Sequence, residues 1–199
     1  VMVGVDKVQH IIDLMVKEAK SIVPGDNLGS VISAEAKIRI EGYIDEAEKN
    51  GAKILLDGRN TTVKGKEGGF YVGPTIIDYV TTDMSVAREE IFGPVISIIR
   101  AKDLDEAIAI ENGSNYGNAA AVFTQSGGVA KQVMDRASAG MIGVNIGVPV
   151  PREPFSFGGW NESKFGVGDI TGRSSIEFWT QNKKTTTKWI PEARTNWMS

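Results

Sequence analysis

Short apolar segments alternate with helical stripes along most of the first 145 residues, and this alternation restricts the fold more than any other feature of the chain. Strands separated by helices in this order can pair in parallel, because a parallel connection needs a crossover that a helix supplies. The apolar runs have no polar face, which is typical of strands covered on both sides. The sequence therefore predicts an α/β domain with a mostly parallel sheet and flanking helices.

Local signals mark the ends of the predicted helices. A first stripe begins at Val8 and ends before the turn at 23–26, and Ser33 is the expected N-cap of a second helix that ends at Asn50-Gly51. Asp103 opens a further helix as the first residue of a capping box, and another ends near Gly140. Strands are predicted at Ala52–Leu56, Phe70–Ile77, Pro94–Arg100, Ala119–Thr124 and Met141–Asn145.

The last part of the chain departs from this pattern. Residues 148–168 form a long segment rich in Pro, Gly and Phe, and segments of that kind are usually functional or mobile. Thr185–Trp189 reads as an isolated strand with no local partner, so it is expected to pair with a strand of another copy of the chain. We accordingly predict two parts, 1–168 and 169–199, the second holding a helix and this association strand.

Composition excludes several classes of function. With 22 Lys plus Arg against 25 Asp plus Glu, the net charge of -3 offers no polyanion-binding surface, and no apolar run is long enough to span a membrane. The chain has no cysteine, which excludes disulfides, thiolate metal sites and a cysteine nucleophile within these residues. Its one histidine, His10, lies on the first helix, so neither a Ser-His-Asp triad nor a zinc site is expected. A soluble, cytoplasmic protein is expected.

The stretch EEIFGPV at 89–95 places two carboxylates before an aromatic residue and a Gly-Pro turn. A carboxylate can accept hydrogen bonds from two hydroxyl groups at once, and an aromatic ring two residues later can pack against the sugar that carries them. Ribose fits this description. The alternative is a helix end followed by a turn, with Phe92 as an ordinary anchor in the core.

Five segments resemble the C-terminal part of the aldehyde dehydrogenase superfamily: EEIFGPV, NYGNAAAVFT at 115–124, GMIGVN at 140–145, FSFGGWNESKFG at 155–166 and FWTQNKKTTTKW at 178–189. They follow one another in the family's order over nearly the whole chain. LLDGR, FYVGPTI, VNIGVPVP and SFGGW look most like the methylmalonate-semialdehyde dehydrogenase branch, whose members acylate CoA. The resemblance implies a fragment of an oligomeric NAD-dependent enzyme whose Rossmann-type domain and nucleophilic cysteine lie before Val1.

The resemblance also implies roles for individual residues. Glu90 is expected to bind the hydroxyls of the nicotinamide ribose, and Phe92 to pack against that ribose. Arg152, Phe155 and Phe157 are expected at the substrate mouth, although Arg152 could equally be a solvated loop residue. The parent enzyme would oxidise malonate or methylmalonate semialdehyde to an acyl-CoA, with NAD as cofactor and CoA as co-substrate.

Some positions depart from the pattern of many relatives. Ser156 stands where they have Pro, Asn161 where they have Lys, and Lys164 where they have Gly. Similar departures occur in the acylating branch. Two alternatives remain open at this point: a non-acylating aldehyde dehydrogenase, and a module that serves only folding and association.

Overall fold

A computed structural model describes residues 1–5, 7–166 and 168–189. Two compact units are present: Val1–Pro149 with Gly159–Lys164, and Val150–Gly158 with the chain from Phe165 onward. The first unit contains, in chain order, β1 (Met2–Val5), α1 (Gln9–Ala19), α2 (Ala34–Lys49), β2 (Lys53–Leu56), β3 (Thr75–Asp78), α3 (Ser85–Arg88), β4 (Val95–Ala101), α4 (Leu104–Asn112), β5 (Tyr116–Gly117), β6 (Ala119–Val122), α5 (Gly127–Arg136), β7 (Met141–Val144) and β8 (Trp160–Asn161). Helix α6 (Ser174–Trp179) belongs to the second unit. The predicted division at residue 168 stays a prediction.

The main sheet of the first unit has the strand order β1-β4-β3-β2. Strand β4 pairs in parallel with both β1 and β3, and β2 joins the edge of β3 in antiparallel orientation. The mostly parallel α/β fold predicted from the alternation is therefore confirmed. Two smaller sheets, which the sequence did not predict as separate, are formed by the parallel pair β6-β7 and the antiparallel pair β5-β8.

Helices α1 and α2 cover opposite faces of the main sheet. Ile76 and Ile98 pack with α1, whereas Ile77 and Ile99 pack with α2. Successive residues of a strand point to opposite faces, so each strand feeds both layers of the core. Full burial of one isoleucine contributes roughly 1.5–3 kcal/mol, and Ile76, Ile77 and Ile98 are at most 1% exposed.

A partly buried ion pair joins the ends of β3 and β4. The Asp78 side chain is 2% exposed and accepts hydrogen bonds from Arg100 Nε at 3.1 Å and Nη2 at 2.7 Å. The Arg100 guanidinium carbon also lies 4.6 Å from the centre of the Tyr79 ring. Hydrogen bonding to Asp78 raises the pKa of Arg100, so the guanidinium keeps its positive charge.

The predicted helix caps are present. Ser33 Oγ accepts a hydrogen bond from Ala36 N at 3.1 Å, and Asp103 Oδ1 accepts one from Glu106 N at 2.9 Å. At the end of α2, Gly51 adopts a φ of 95°, which only glycine adopts without strain, as expected for the predicted Asn-Gly stop.

The strand predicted at Phe70–Ile77 is too long, since β3 begins only at Thr75. Phe70 instead accepts a hydrogen bond from Val31 N at 2.7 Å, and Gly73 N donates to Gly58 O at 2.8 Å. The two glycines approach so closely that a Cβ on Gly58 would lie 2.0 Å from Gly73 O. Backbone groups committed to these segments cannot join the ladder of β3.

The segment Thr185–Trp189 forms no strand within the single chain. Residues 181–189 are exposed and lie outside regular secondary structure, because no strand among the described residues offers them a ladder of hydrogen bonds. Pairing with another copy of the chain stays a prediction. Across the described ranges, no helix combines the length and apolar character needed to cross a membrane, and the cytoplasmic location also stays a prediction.

Candidate functional site

The loop between α3 and β4, residues 89–94, is attached to the core at both ends and at its centre. Glu89 N donates to Ser85 O at 2.8 Å at the end of α3, and Pro94 O accepts from Thr75 N at 2.9 Å at the start of β4. Between them Ile91 is buried in the cluster that lies against α2. The 89–94 loop is therefore a fixed connection rather than a loose turn.

Glu90 and Phe92 lie on either side of Ile91 in this loop, and both are exposed. Phe92 is 76% exposed, so the alternative that it anchors the core is wrong, and Ile91 has that role instead. The backbone of Phe92 has a φ of 56°, in the left-handed region that costs a residue with a Cβ about 1–2 kcal/mol. An aromatic ring is thus held in solvent by a strained backbone.

Helix α2 braces the same loop through two contacts that the sequence did not indicate. Arg39 Nη1 donates to Ile91 O at 2.8 Å. Gly93 lies so close to Ile40 that an added Cβ would be 2.8 Å from Ile40 Cδ1. A hydrogen bond from a charged donor contributes about 1.5–3 kcal/mol when it is shielded from water. The bond from Arg39 is part-buried, so its contribution is comparable to the strain at Phe92. No local pattern distinguishes Arg39 from an arginine on a solvated helix face.

The turn before α3 is also held by polar contacts. Arg88 Nε donates to Thr82 O at 2.9 Å, which closes the turn onto the end of α3. The Thr81 hydroxyl donates to Asp83 and thereby lowers the pKa of that carboxyl group. Asp83 is consequently ionised at neutral pH, and this negative charge precedes the N-terminus of α3 in the chain.

Asn145 follows β7 and fastens it to the end of β6. Its Oδ1 accepts from Thr124 N at 2.9 Å and its Nδ2 donates to Thr124 O at 3.0 Å, while Asn145 N donates to Val122 O at 2.8 Å. These contacts tie the Asn145 side chain to the backbone of the loop that follows β6. Both side-chain polar atoms are thereby committed to a structural role.

The predicted substrate-mouth residues lie in the second unit, on the segment Val150–Gly158. Arg152, Phe155 and Phe157 are all exposed, at 71% for Phe155 and 42% for Phe157. Phe155 N donates to Arg152 O at 3.0 Å, and Phe157 N donates to Thr171 Oγ1 at 2.8 Å. Within the part of the chain that the structure describes, the Arg152 guanidinium has no ion pair. It is therefore available to an anion from solvent.

His10 is exposed on α1 with its Nδ1 2.9 Å from Lys7 O. Over residues 1–5, 7–166 and 168–189, no three His, Asp or Glu side chains are grouped so that they could hold a metal ion.

Comparisons with known proteins place these features in a family. The model of the aldehyde dehydrogenase family matches residues 1–185. Malonate-semialdehyde dehydrogenase 2 of Bacillus thuringiensis (strain Al Hakam) is 43% identical over 187 residues, which are 90% of this chain and 38% of the relative. The malonate-semialdehyde dehydrogenase of Pseudomonas aeruginosa is 39% identical over 169 residues, or 85% of this chain and 34% of the relative.

Solved structures agree with these relatives. A protein of Sinorhizobium meliloti 1021 named as a methylmalonate-semialdehyde dehydrogenase, solved with NAD, matches with a TM-score of 0.90 and 36% identity over 98% of this chain and 42% of that one. Betaine aldehyde dehydrogenase of Staphylococcus aureus, solved with NAD+, matches with a TM-score of 0.80 and 28% identity over 89% of this chain and 36% of that one. The chain thus spans well under half the length of the relatives it matches.

Proposed function

Because the chain belongs to the aldehyde dehydrogenase family, we propose that it is part of an NAD-dependent enzyme that oxidises malonate or methylmalonate semialdehyde. Family membership, and with it the resemblance expected from the motifs, is confirmed. The substrate is proposed from the names of the relatives, since the chain spans 38% of the first of them. "Parent enzyme" below denotes the longer protein that this proposal implies.

The observation that carries the cofactor role is the exposed ring of Phe92 on a left-handed backbone, two residues after the exposed carboxylate of Glu90. Among the described residues, burial of the ring does not offset the strain, because Phe92 is 76% exposed. Strained backbone in a folded protein concentrates where a ligand is held. A ring and a carboxylate presented together suit a sugar with vicinal hydroxyls, and the nicotinamide ribose of NAD is such a sugar.

Each residue of the pair has a definite task in this proposal. Glu90 accepts hydrogen bonds from the ribose hydroxyls, each contributing about 1.5–3 kcal/mol where water is excluded. Phe92 packs against the ribose and limits its rotation. When bound, NAD supplies the acceptor for the hydride that leaves the aldehyde carbon. The nucleophile that first adds to that carbon would be a cysteine outside these 199 residues, which contain none.

The test of the cofactor role is Glu90→Gln in the parent enzyme. The exchange keeps the size of the side chain but removes the charge that favours ribose hydroxyls, so we expect hydride transfer in a single turnover to slow roughly tenfold or more. Glu89→Gln is the matched control, because Glu89 is also exposed but is the neighbour that we do not assign to the cofactor. Equal rates for Glu90→Gln and the unaltered enzyme would remove Glu90 from the site.

We further propose that CoA accepts the acyl group. The proposal rests on the motifs shared with the acylating branch and on the departures at Ser156, Asn161 and Lys164. The expected product is an acyl-CoA: malonyl-CoA or methylmalonyl-CoA if the carboxylate is retained, and acetyl-CoA or propionyl-CoA if it leaves as CO2. Turnover should rise with CoA concentration. Mass analysis of the products with and without CoA decides the question, and free acid as the sole product would favour the non-acylating alternative.

Arg152 is proposed to bind the carboxylate of the semialdehyde. Its guanidinium is exposed and, in the described ranges, has no anionic partner, and guanidinium groups bind carboxylates with two parallel hydrogen bonds. Arg152→Leu should therefore raise KM for malonate semialdehyde and leave KM for propanal, which has no carboxylate, unchanged. An equal rise for both aldehydes would indicate that the segment is disturbed rather than that a carboxylate partner is lost.

A further inference from the structure

We infer that Arg39 is a positioning residue for the cofactor: from α2 it fixes the backbone that aims Glu90 and Phe92. The inference rests on the proposed function of that pair and goes beyond it, because Arg39 itself is assigned no contact with NAD or substrate. It is carried by the hydrogen bond from Arg39 Nη1 to Ile91 O, at 2.8 Å, between residues 52 positions apart in sequence.

The bond acts at the one point of the 89–94 loop that governs both side chains. The carbonyl of Ile91 belongs to the peptide unit that joins Ile91 to Phe92, and Glu90 immediately precedes Ile91. Rotation of this peptide would change the direction of the Phe92 ring and shift the backbone from which Glu90 extends. Holding the carbonyl therefore holds the relative placement of the carboxylate and the ring.

The two side chains have little else to direct them. Glu90 has no hydrogen bond or ion pair within the ranges that the structure describes, and Phe92 is largely exposed. Their directions consequently follow the backbone alone. That backbone is strained at Phe92, whose φ is 56°, so it would relax towards the ordinary region if it were not restrained.

Helix α2 is a firm support for such a restraint. Ile40, next to Arg39, is 0% exposed in the core, and its side chain closely contacts Gly93 at the other side of Phe92. The 89–94 loop is thus held before Phe92 by the hydrogen bond from Arg39 and after Phe92 by the apolar contact between Ile40 and Gly93. Arg39 and Ile40 are adjacent residues of α2. Of these two contacts only the hydrogen bond can be removed without opening a cavity in the core.

The experiment compares Arg39→Met, which keeps the apolar stem but cannot donate, with the unaltered parent enzyme. We expect kcat/KM for NAD to fall about tenfold, the order of loss that a small misplacement of reacting groups produces. Arg39→Lys, which keeps a cationic donor, should recover part of the loss. Lys37→Met is the matched control, because Lys37 donates from the same helix to Tyr71 O at 2.5 Å, away from the 89–94 loop; its kcat/KM should stay near that of the unaltered enzyme.

A second comparison, made in an enzyme that already lacks the Glu90 carboxylate and the Phe92 ring, distinguishes a positioning role of Arg39 from general destabilisation of the protein. If Arg39 acts through Glu90 and Phe92, then Arg39→Met should cause no further loss in an enzyme that already carries Glu90→Gln and Phe92→Ala. An equal loss in both backgrounds, or no loss in either, would overturn the inference. An effect of Glu90→Gln without one of Arg39→Met would refute the positioning role alone and leave the proposed function standing.

The isolated chain provides a readout that does not depend on activity. Amide hydrogen exchange at residues 90–93 should become faster in Arg39→Met and stay unchanged in Lys37→Met. This measurement remains informative even if Glu90→Gln has no effect on hydride transfer and the proposed function fails. Unaltered exchange at these amides in Arg39→Met would show that the bond does not restrain the loop.

Discussion

Replacing Phe92 by glycine and by alanine tests whether the backbone of the 89–94 loop is truly held in the left-handed region. Alanine keeps a Cβ and therefore the strain, whereas glycine adopts a φ of 56° freely. We predict that Phe92→Gly is more stable than Phe92→Ala, the reverse of the order usual at exposed positions in regular structure. Both variants lack the ring, so the comparison isolates the backbone.

The size of the difference follows from two contributions, because the loss of the ring is common to both variants. The ring is 76% exposed, so its loss removes only roughly 0.5 kcal/mol of burial, equally in both variants. Relief of the left-handed strain favours glycine by about 1–2 kcal/mol, and the greater backbone entropy that glycine loses on folding opposes it by about 0.5–1 kcal/mol. The midpoints of these ranges make Phe92→Gly about 0.8 kcal/mol more stable than Phe92→Ala.

Thermal unfolding of the isolated chain, followed by circular dichroism, measures this difference. For a chain of this length 1 kcal/mol corresponds to a shift of about 2–4 °C in Tm. Ile38, 71% exposed in the middle of α2, supplies the matched control, since Ile38→Gly should be less stable than Ile38→Ala by about 1 kcal/mol. Were Phe92→Ala as stable as Phe92→Gly, the left-handed backbone, and the reasoning built on it, would be refuted.

Three further predictions concern the isolated chain. Hydrogen bonding from Arg59 lowers the pKa of Asp57. The ionised carboxylate therefore stabilises the fold above its ordinary pKa of about 4, and this contribution is lost as the pH falls further. Between about pH 5 and pH 2 the Tm should fall less in Arg59→Met than in the unaltered chain, and parallel curves would contradict this. The chain should sediment as a dimer or larger species, and Thr186→Pro, which removes a backbone donor, should shift it to monomer; a monomeric unaltered chain would disprove the association. Calorimetry should detect no appreciable NAD binding, because Glu90 and Phe92 are proposed to contact only the nicotinamide ribose; micromolar affinity would show that more of the cofactor site lies in this chain.

Features that depend on neighbouring residues were predictable from the sequence. Ser33 and Asp103 cap their helices through hydrogen bonds to residues three positions later, and Gly51 ends α2 through its own backbone freedom. The order of strands and helices likewise follows from local apolar periodicity, which is why the α/β fold could be recognised. Glu90 and Phe92 were indicated by a continuous motif of seven residues.

Features that depend on distant residues were not predictable. The early part of the strand expected at Phe70–Ile77 is diverted by partners at Val31 and Gly58, which no local pattern reveals. The exposure of Phe92 depends on Ile91 taking the core position, and both are apolar residues of similar preference. Arg39 acquires its contact only when α2 packs beside the 89–94 loop, 52 residues further along the chain.

The covering of the main sheet on both faces has a consequence for strand register. In a sheet with one wet face, a slip of one residue would expose apolar side chains and is thereby forbidden. In β3 the neighbouring residues Ile76 and Ile77 are both buried in apolar clusters on opposite faces, so they could exchange places at little hydrophobic cost. A slipped β3 would, however, separate Asp78 from Arg100 and leave a carboxylate that is 2% exposed without its counter-ion, a loss of about 3–5 kcal/mol. The ion pair between Asp78 and Arg100 thus favours one register of β3 against β4.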